Sequence, residues 1–88
     1  MKKSYKLDSS DIFHVQHFTR EVFTDTITAQ EGATFLLKQY ADLPEQATAL
    51  IREFSRWTCA PSRCVNRQGV VSLYWNGELV AVRDFRQI

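Results

Sequence analysis

Hydrophobic residues recur at helical spacing between Leu43 and Trp57, and this is the clearest periodic pattern in the chain. Asp42 stands where an N-cap belongs, Pro44 lies in the first turn, and Glu45 stands three residues after Asp42, as a capping box requires. We therefore predict a helix over residues 43–57 whose apolar face packs on another element. The residues of that face are Ala47, Leu50, Ile51, Phe54 and Trp57.

Two weaker helical patterns precede this one. Residues 10–23 favour a helix capped by Asp8 or Ser9, although the alternation within the segment keeps a strand possible. Thr28 and Glu31 form a second capping box, which predicts another helix behind it. Gly32 costs that helix about 1 kcal/mol relative to alanine, so close packing against another element would explain it. The apolar positions are Ile12, Val15, Phe18 and Val22 in the first helix, and Ala29, Ala33, Leu36, Leu37 and Tyr40 in the second.

The strongest strand signal lies near the C-terminus. Residues 70–75 and 78–85 flank Asn76-Gly77, the preferred pair for a type I′ hairpin turn. A two-residue turn sets the strand register, and the face that holds these pairs is expected to be core. The predicted pairs are Trp75 with Glu78, Leu73 with Val80, and Val71 with Val82.

The predicted fold class is α+β, with about three helices followed by a C-terminal antiparallel β-hairpin. Residues 58–69, interrupted by Pro61, are predicted to form an irregular connection, and residues 1–7 a polar and mobile lead-in. The 88 residues are expected to form one small domain, as a monomer or a small homo-oligomer. The order of elements is that of a winged helix, in which the third helix enters the major groove of DNA.

Composition is that of an ordinary globular protein, with 44% hydrophobic and 24% charged residues. Polar residues follow the opening Met-Lys-Lys where a signal peptide has an apolar run, so no export signal is expected. No stretch approaches the roughly 18 apolar residues of a membrane span. We therefore expect a soluble cytoplasmic protein, without membrane association, in which Cys59 and Cys64 are free thiols.

Charge is distributed unevenly, although the net charge is only +1. Acidic residues dominate between Asp8 and Asp42, whereas every basic residue from Arg52 onward is an arginine. Guanidinium groups favour bidentate contacts with carboxylate or phosphate. Arginine stems that cover apolar surface would explain the same pattern without a binding function.

Residues suited to catalysis or metal binding are few. His14, His17, Cys59 and Cys64 are the four possible zinc ligands, but Cys-x4-Cys in a loop is a weak zinc signal, and the two pairs lie far apart. A cysteine with a histidine is also the only candidate nucleophile and base, with no phosphate-binding or oxyanion motif beside it. We expect no metal, no cofactor and no enzyme activity.

A protein-binding function is the preferred interpretation: a small regulatory or inhibitory module whose partner is unknown. The outer face of the predicted hairpin carries Tyr74, Leu79, Arg83 and Phe85, a composition typical of an interface. In an alternative arrangement, the N-terminal segment folds over this face and buries it.

DNA binding is the alternative function, as a winged-helix-like transcriptional regulator that uses the helix at residues 43–57. The side chains suited to base edges or phosphates are Gln46, Arg52, Arg56, Arg63 and Arg67. Glu78 next to the hairpin tip and the low net charge argue against this function, because such binding depends on positive charge.

Overall fold

Three helices precede a three-stranded antiparallel sheet in the structure, a computed structural model that describes residues 5–24 and 28–86. The α+β fold class is therefore confirmed, with one strand more than the predicted hairpin. Residues 1–4 of the predicted lead-in lie outside the described residues. The elements are α1 (Ser9–Thr24), α2 (Ala29–Gln39), α3 (Pro44–Thr58), β1 (Ser62–Arg67), β2 (Val70–Trp75) and β3 (Glu78–Asp84).

The first two helices begin at reciprocal caps. At α1 the Asp11 N–H donates to Asp8 Oδ1 at 2.8 Å, and the Asp8 N–H donates to Asp11 Oδ2 at 3.4 Å. The segment is therefore a helix and not a strand. At α2 the predicted box is confirmed, because the Glu31 N–H donates to Thr28 Oγ1 at 3.1 Å and the Thr28 N–H to Glu31 Oε1 at 3.3 Å.

The start of α3 differs by one residue from the prediction. Leu43 is the N-cap, in extended conformation with φ −131° and ψ 150° and with no side-chain cap. A residue before proline is driven to this conformation, so Pro44 fixes the boundary and leaves Asp42 one position too early. The prediction that Asp42 is the N-cap was therefore wrong. The backbone N–H of Asp42 instead donates a hydrogen bond to Gln46 Oε1 at 2.8 Å.

The core forms where α3 meets α1, α2 and the inner face of the sheet. Phe54 is fully buried at its centre, with ring centroids 5.8 Å from Phe18 and 6.2 Å from Trp75. Because Gly32 has no side chain, α2 can approach α1 and α3 closely. A Cβ at this position would lie 2.8 Å from Phe54 Cζ and 3.2 Å from Val22 Cγ2. The close packing predicted for Gly32 is thus confirmed.

Most of the predicted core residues are buried, but Ile12, Phe18 and Ala29 are only partly buried and Val82 is exposed. Val80 is only partly buried, although it packs against the core. Tyr40 and Trp57 are largely exposed, the latter by 45% of its surface. Trp57 lies in the last turn of α3, where its indole N–H donates to a Glu53 carboxylate oxygen, and a polar ring edge of this kind favours the surface.

The prediction of an irregular connection over residues 58–69 was wrong, because Ser62–Arg67 forms strand β1 and pairs with β2. The strand is mostly polar and lacks an apolar alternation that would reveal it. Gln68 and Gly69 form the connecting turn, with φ values of 54° and 94°. Both residues are in the left-handed region, as in a type I′ turn, but only the glycine is a usual residue for it.

The predicted hairpin turn is confirmed, with positive φ at Asn76 and Gly77. The predicted register holds for Trp75 with Glu78 and is wrong beyond Tyr74, because a bulge leaves Val80 without a partner. Past the bulge, the observed pairs are Leu73 with Ala81, Ser72 with Val82, Val71 with Arg83, and Val70 with Asp84.

The bulge exchanges the faces of the last strand residues. Val82 becomes 55% exposed, whereas Phe85 is only 7% exposed and belongs to the core. Because a phenylalanine removes more apolar surface from water than a valine, this exchange favours the bulged register. Arg83 also turns towards the helices, where its guanidinium lies 4.8 Å from the ring centroid of Phe85.

Arg83 stabilises the C-terminal end of α2. Its Nη1 donates to the carbonyl oxygen of Leu37 and, at 3.0 Å, to that of Lys38. Carbonyls in the last turn of a helix have no partner within the helix and carry partial negative charge. Arg83 therefore links α2 to β3 and is a structural residue in this fold.

Replacing Gly32 by alanine is expected to destabilise the protein by about 1–2 kcal/mol, because overpacking outweighs the gain in helix propensity. Chemical denaturation measures the change. Gln30→Ala, at an exposed position of the same helix, is the control and should stay within about 0.5 kcal/mol. Stabilisation by Gly32→Ala would contradict the close approach of Phe54 to α2.

Replacing Arg83 by alanine is expected to lower the free energy of unfolding by about 1–3 kcal/mol, since two carbonyls lose a charged donor. Arg67→Ala removes the same charge from an exposed site and should change stability by less than about 0.5 kcal/mol. Equal effects of the two variants would show that Arg83 contributes only through its net charge.

Candidate functional site

The face of the sheet turned away from the helices is the principal candidate surface, and we call it the open face. Its side chains form cross-strand rows and all are at least partly exposed, Leu79 by 55% of its surface. Its apolar side chains are one valine on each strand, Leu79 on β3 and the ring of Tyr74 on β2. The rows are Arg63, Tyr74 and Leu79; Val65, Ser72 and Val82; and Arg67, Val70 and Asp84.

Positive charge lies along one side of the open face. Arg63 stands over Tyr74, with its guanidinium carbon 4.6 Å from the ring centroid. Within the described part of the chain, neither Arg63 nor Arg67 has a carboxylate partner. The face therefore joins aromatic and aliphatic side chains to two guanidinium groups that are available to an acidic surface.

The opposite side of the open face is close to electrically neutral. Asp84 accepts two side-chain hydrogen bonds from Arg86, at 2.9 and 2.6 Å. These hydrogen bonds stabilise the carboxylate, which lowers the pKa of Asp84 to about 2. The Asp84 charge is thus balanced locally, and the positive side belongs to β1.

The structure divides the predicted partner-binding residues into two groups. Tyr74 and Leu79 lie directly opposite each other on the open face, as the predicted register required. Arg83 and Phe85 lie on the helix side of the sheet. The bulge at Val80 changes the face to which each later side chain of β3 points. The sequence did not predict two open-face residues, Val65 and Val82. Val65 lies on β1, which has no apolar alternation, and Val82 reaches the open face only because of the bulge.

The residues predicted to contact nucleic acid also separate. Gln46 is engaged at the start of α3, where it accepts the Asp42 N–H. Arg52 and Arg56 are exposed on α3 and line a shallow groove beside Ser62 and Cys64 of β1. Together with Arg63 and Arg67 they form what we call the arginine cluster, with two members on each side of β1.

The arginine cluster lacks internal neutralisation. Among the described residues, none of its four members has a carboxylate within ion-pair distance. Arg52 lies close enough to Cys64 to act electrostatically on the thiol. Four exposed guanidinium groups near one strand give this part of the surface a positive potential, which attracts anionic groups.

The two cysteines differ in environment. Cys59 is exposed at the C-cap of α3, in left-handed conformation with φ 57°. Cys64 is partly buried on β1, and burial raises the pKa of its thiol to about 11 although Arg52 opposes the shift. Both are free thiols, and a raised thiol pKa keeps Cys64 in its unreactive neutral form.

The histidines lie on α1, away from any cluster of metal ligands. His17 Nε2 is 3.2 Å from Glu21 Oε1, and the imidazole of His17 stacks on Phe13. Over residues 5–24 and 28–86, no group of three or more His, Cys, Asp or Glu side chains is arranged to hold a metal ion. Absence of bound metal stays a prediction that elemental analysis of the purified protein can test.

Comparisons of the chain with protein families, with curated proteins and with solved structures found no significant match. None of the helices in the described part of the chain combines the length and apolarity needed to cross a bilayer.

Thiol labelling is expected to distinguish the two cysteines. With iodoacetamide at about pH 8, Cys59 should react at least tenfold faster than Cys64, since burial and a raised pKa both suppress the Cys64 thiolate. Mass spectrometry of timed samples gives the two rates, and unfolding in denaturant should make them similar. Equal rates in the native protein would contradict the packing of Cys64 beneath α3.

Proposed function

We propose that this chain is a non-catalytic regulatory or inhibitory module that binds a protein partner through the open face of its sheet. The observation that carries the proposal is the cross-strand pair of Tyr74, partly exposed, and Leu79, 55% exposed among the described residues, beside Arg63. Tyrosine and arginine are enriched among the residues that dominate binding energy in protein interfaces. The open face offers both next to aliphatic surface.

The conformation of the open face also favours binding. Tyr74 lies on the central strand β2, held between two paired neighbours. Arg63 is restrained by its position over the Tyr74 ring, so less side-chain entropy is lost when a partner orders it. A surface of this kind presents a fixed shape, which suits an inhibitor that blocks a site on another protein.

The chemistry of the described nucleophiles supports a non-catalytic function. The Cys64 thiol is neutral at physiological pH, and among the described residues no hydrogen bond joins either cysteine to a histidine. Two unpaired cysteines also support a cytoplasmic site of action, where thiols remain reduced. Binding by itself is then the proposed activity.

Nucleic-acid binding is the second candidate function, and the unpaired arginine cluster is the observation that favours it. Guanidinium groups bind phosphates as readily as carboxylates. Against it, α3 packs on α1, α2 and the sheet, and its exposed side carries Glu45 as well as Arg52 and Arg56. Mixed charge on that side weakens the case for a helix that enters a DNA groove.

The test compares two double variants that remove exposed apolar surface from different sides of the protein. A tagged intact protein first captures its partner, and the affinity of the purified pair is then measured. Tyr74→Ala with Leu79→Ser is expected to weaken binding roughly tenfold or more, as loss of a binding hot spot does. Phe13→Ala with Leu43→Ala removes exposed side chains from α1 and the start of α3 and should leave affinity unchanged.

Two outcomes would contradict the proposed function. Loss of binding in the Phe13 and Leu43 variant alone would assign the interface to the helical side. Binding of random duplex DNA that falls steeply with added salt, and that requires Arg52 and Arg56, would favour the nucleic-acid candidate. Each variant is first shown to be folded by circular dichroism and thermal denaturation.

A further inference from the structure

We propose that the free edge of β1 pairs with an extended acidic segment of the partner, which adds to the sheet as a fourth strand. This inference rests on the proposed function, because it specifies how a protein partner binds beside the open face. It adds the backbone of β1 and the side chains of Arg52, Arg56 and Arg67 to the open-face residues Tyr74, Leu79 and Arg63.

Strand β1 is an edge of the sheet, since the strand order is β1-β2-β3. Alternate residues of an edge strand direct their N–H and C=O groups away from the neighbouring strand. Among the described residues, no hydrogen bond outside the sheet reaches the backbone of residues 62–67. These backbone groups are the ones that an added strand satisfies.

The arginine cluster determines the chemistry of the added strand. Successive side chains of a strand point to opposite faces, so a strand beside β1 has one row on the open face and one towards α3. The first row meets Arg63 and Arg67, and the second meets Arg52 and Arg56. Acidic side chains on both rows would therefore find guanidinium partners, which supports a segment rich in Asp and Glu.

Charge also argues against two other occupants. A second copy of β1 carries Arg63 and Arg67 and no acidic residue, so pairing of like edges brings positive charges together. A nucleic-acid strand provides phosphate acceptors but lacks the alternating donors and acceptors of a peptide backbone. The other edge, β3, is interrupted by the bulge at Val80, which disrupts continuous pairing.

The competing explanation is that the arginines protect the edge. Charged side chains on edge strands prevent edge-to-edge aggregation in many proteins. Protection requires only repulsion between copies, whereas recognition requires that a complementary acidic strand bind with backbone pairing. The experiment therefore separates backbone pairing from simple charge attraction.

The probe is a synthetic peptide of glutamate and valine, about ten residues long, with glutamates placed on both faces of an extended strand. A second peptide has the same sequence but carries N-methyl groups on alternate amides, which block pairing along one edge. Isotope-labelled intact protein is titrated with each peptide, and amide exchange is followed by NMR. We expect outward-facing amides of residues 62–67 to exchange at least tenfold more slowly with the first peptide, and N-methylation to weaken binding at least tenfold.

Charge variants test the two sides of the strand separately. Replacing either pair of arginines by glutamine should weaken binding of the unmodified peptide. Each replacement removes the guanidinium partners of one row of glutamate side chains on the peptide. A control that removes the same charge elsewhere should leave binding unchanged. The test variants are Arg63→Gln with Arg67→Gln and Arg52→Gln with Arg56→Gln, and the control is Lys6→Gln with Lys38→Gln.

Several results would overturn the inference. These are no binding at about 1 mM peptide, equal binding of the N-methylated peptide, or protection at β3 with none at β1. Equal displacement of the peptide by single-stranded DNA would show that only charge is recognised. If partner binding needs Tyr74 and Leu79 but is indifferent to changes at the β1 edge, the edge inference fails while the proposed function stands.

Discussion

The contact between Phe54 and Gly32 is the constraint on which the rest of the structure depends. Because Gly32 has no side chain, α2 approaches α3 until the buried ring of Phe54 fills the space that a Cβ would occupy. The same ring contacts Phe18 of α1 and Trp75 of β2, so one side chain joins three helices and the sheet. With Trp75 directed inward, alternation along β2 directs Tyr74 outward, and the open face follows from the core.

A second constraint acts at the bulge in β3. One extra residue, Val80, decides which side chains of the final strand enter the core and which remain on the open face. The bulged register buries Phe85 and brings Arg83 to the carbonyls at the end of α2, while Val82 joins the open face. An arginine that looked available for binding is thereby part of the fold, and a valine that looked buried is part of the candidate interface.

Local signals predicted the helices and the Asn76-Gly77 turn, because caps, apolar periodicity and turn residues act over a few neighbouring positions. These local signals could not predict which residues of β3 are buried. The packing of the complete core decides whether Phe85 or Val82 is buried. Strand β1 was missed because its stability comes from pairing with β2 and packing under α3, and its polar sequence gives no periodic signal. The candidate site was likewise predicted only in part. Tyr74 and Leu79 were predicted as partner-binding residues, but the position of the β1 residues beside them was not.

Net charge is a poor guide to the charges that this protein presents on its surface, because local pairing decides which of them are available. Arg83 is engaged by helix carbonyls and Arg86 by Asp84, so these two arginines contribute little to an external field. The remaining arginines of the C-terminal half form the arginine cluster around β1 without carboxylate partners in the described chain. A protein of net charge +1 thus presents a concentrated positive edge next to exposed strand backbone, and this combination favours an acidic peptide segment over a diffuse polyanion.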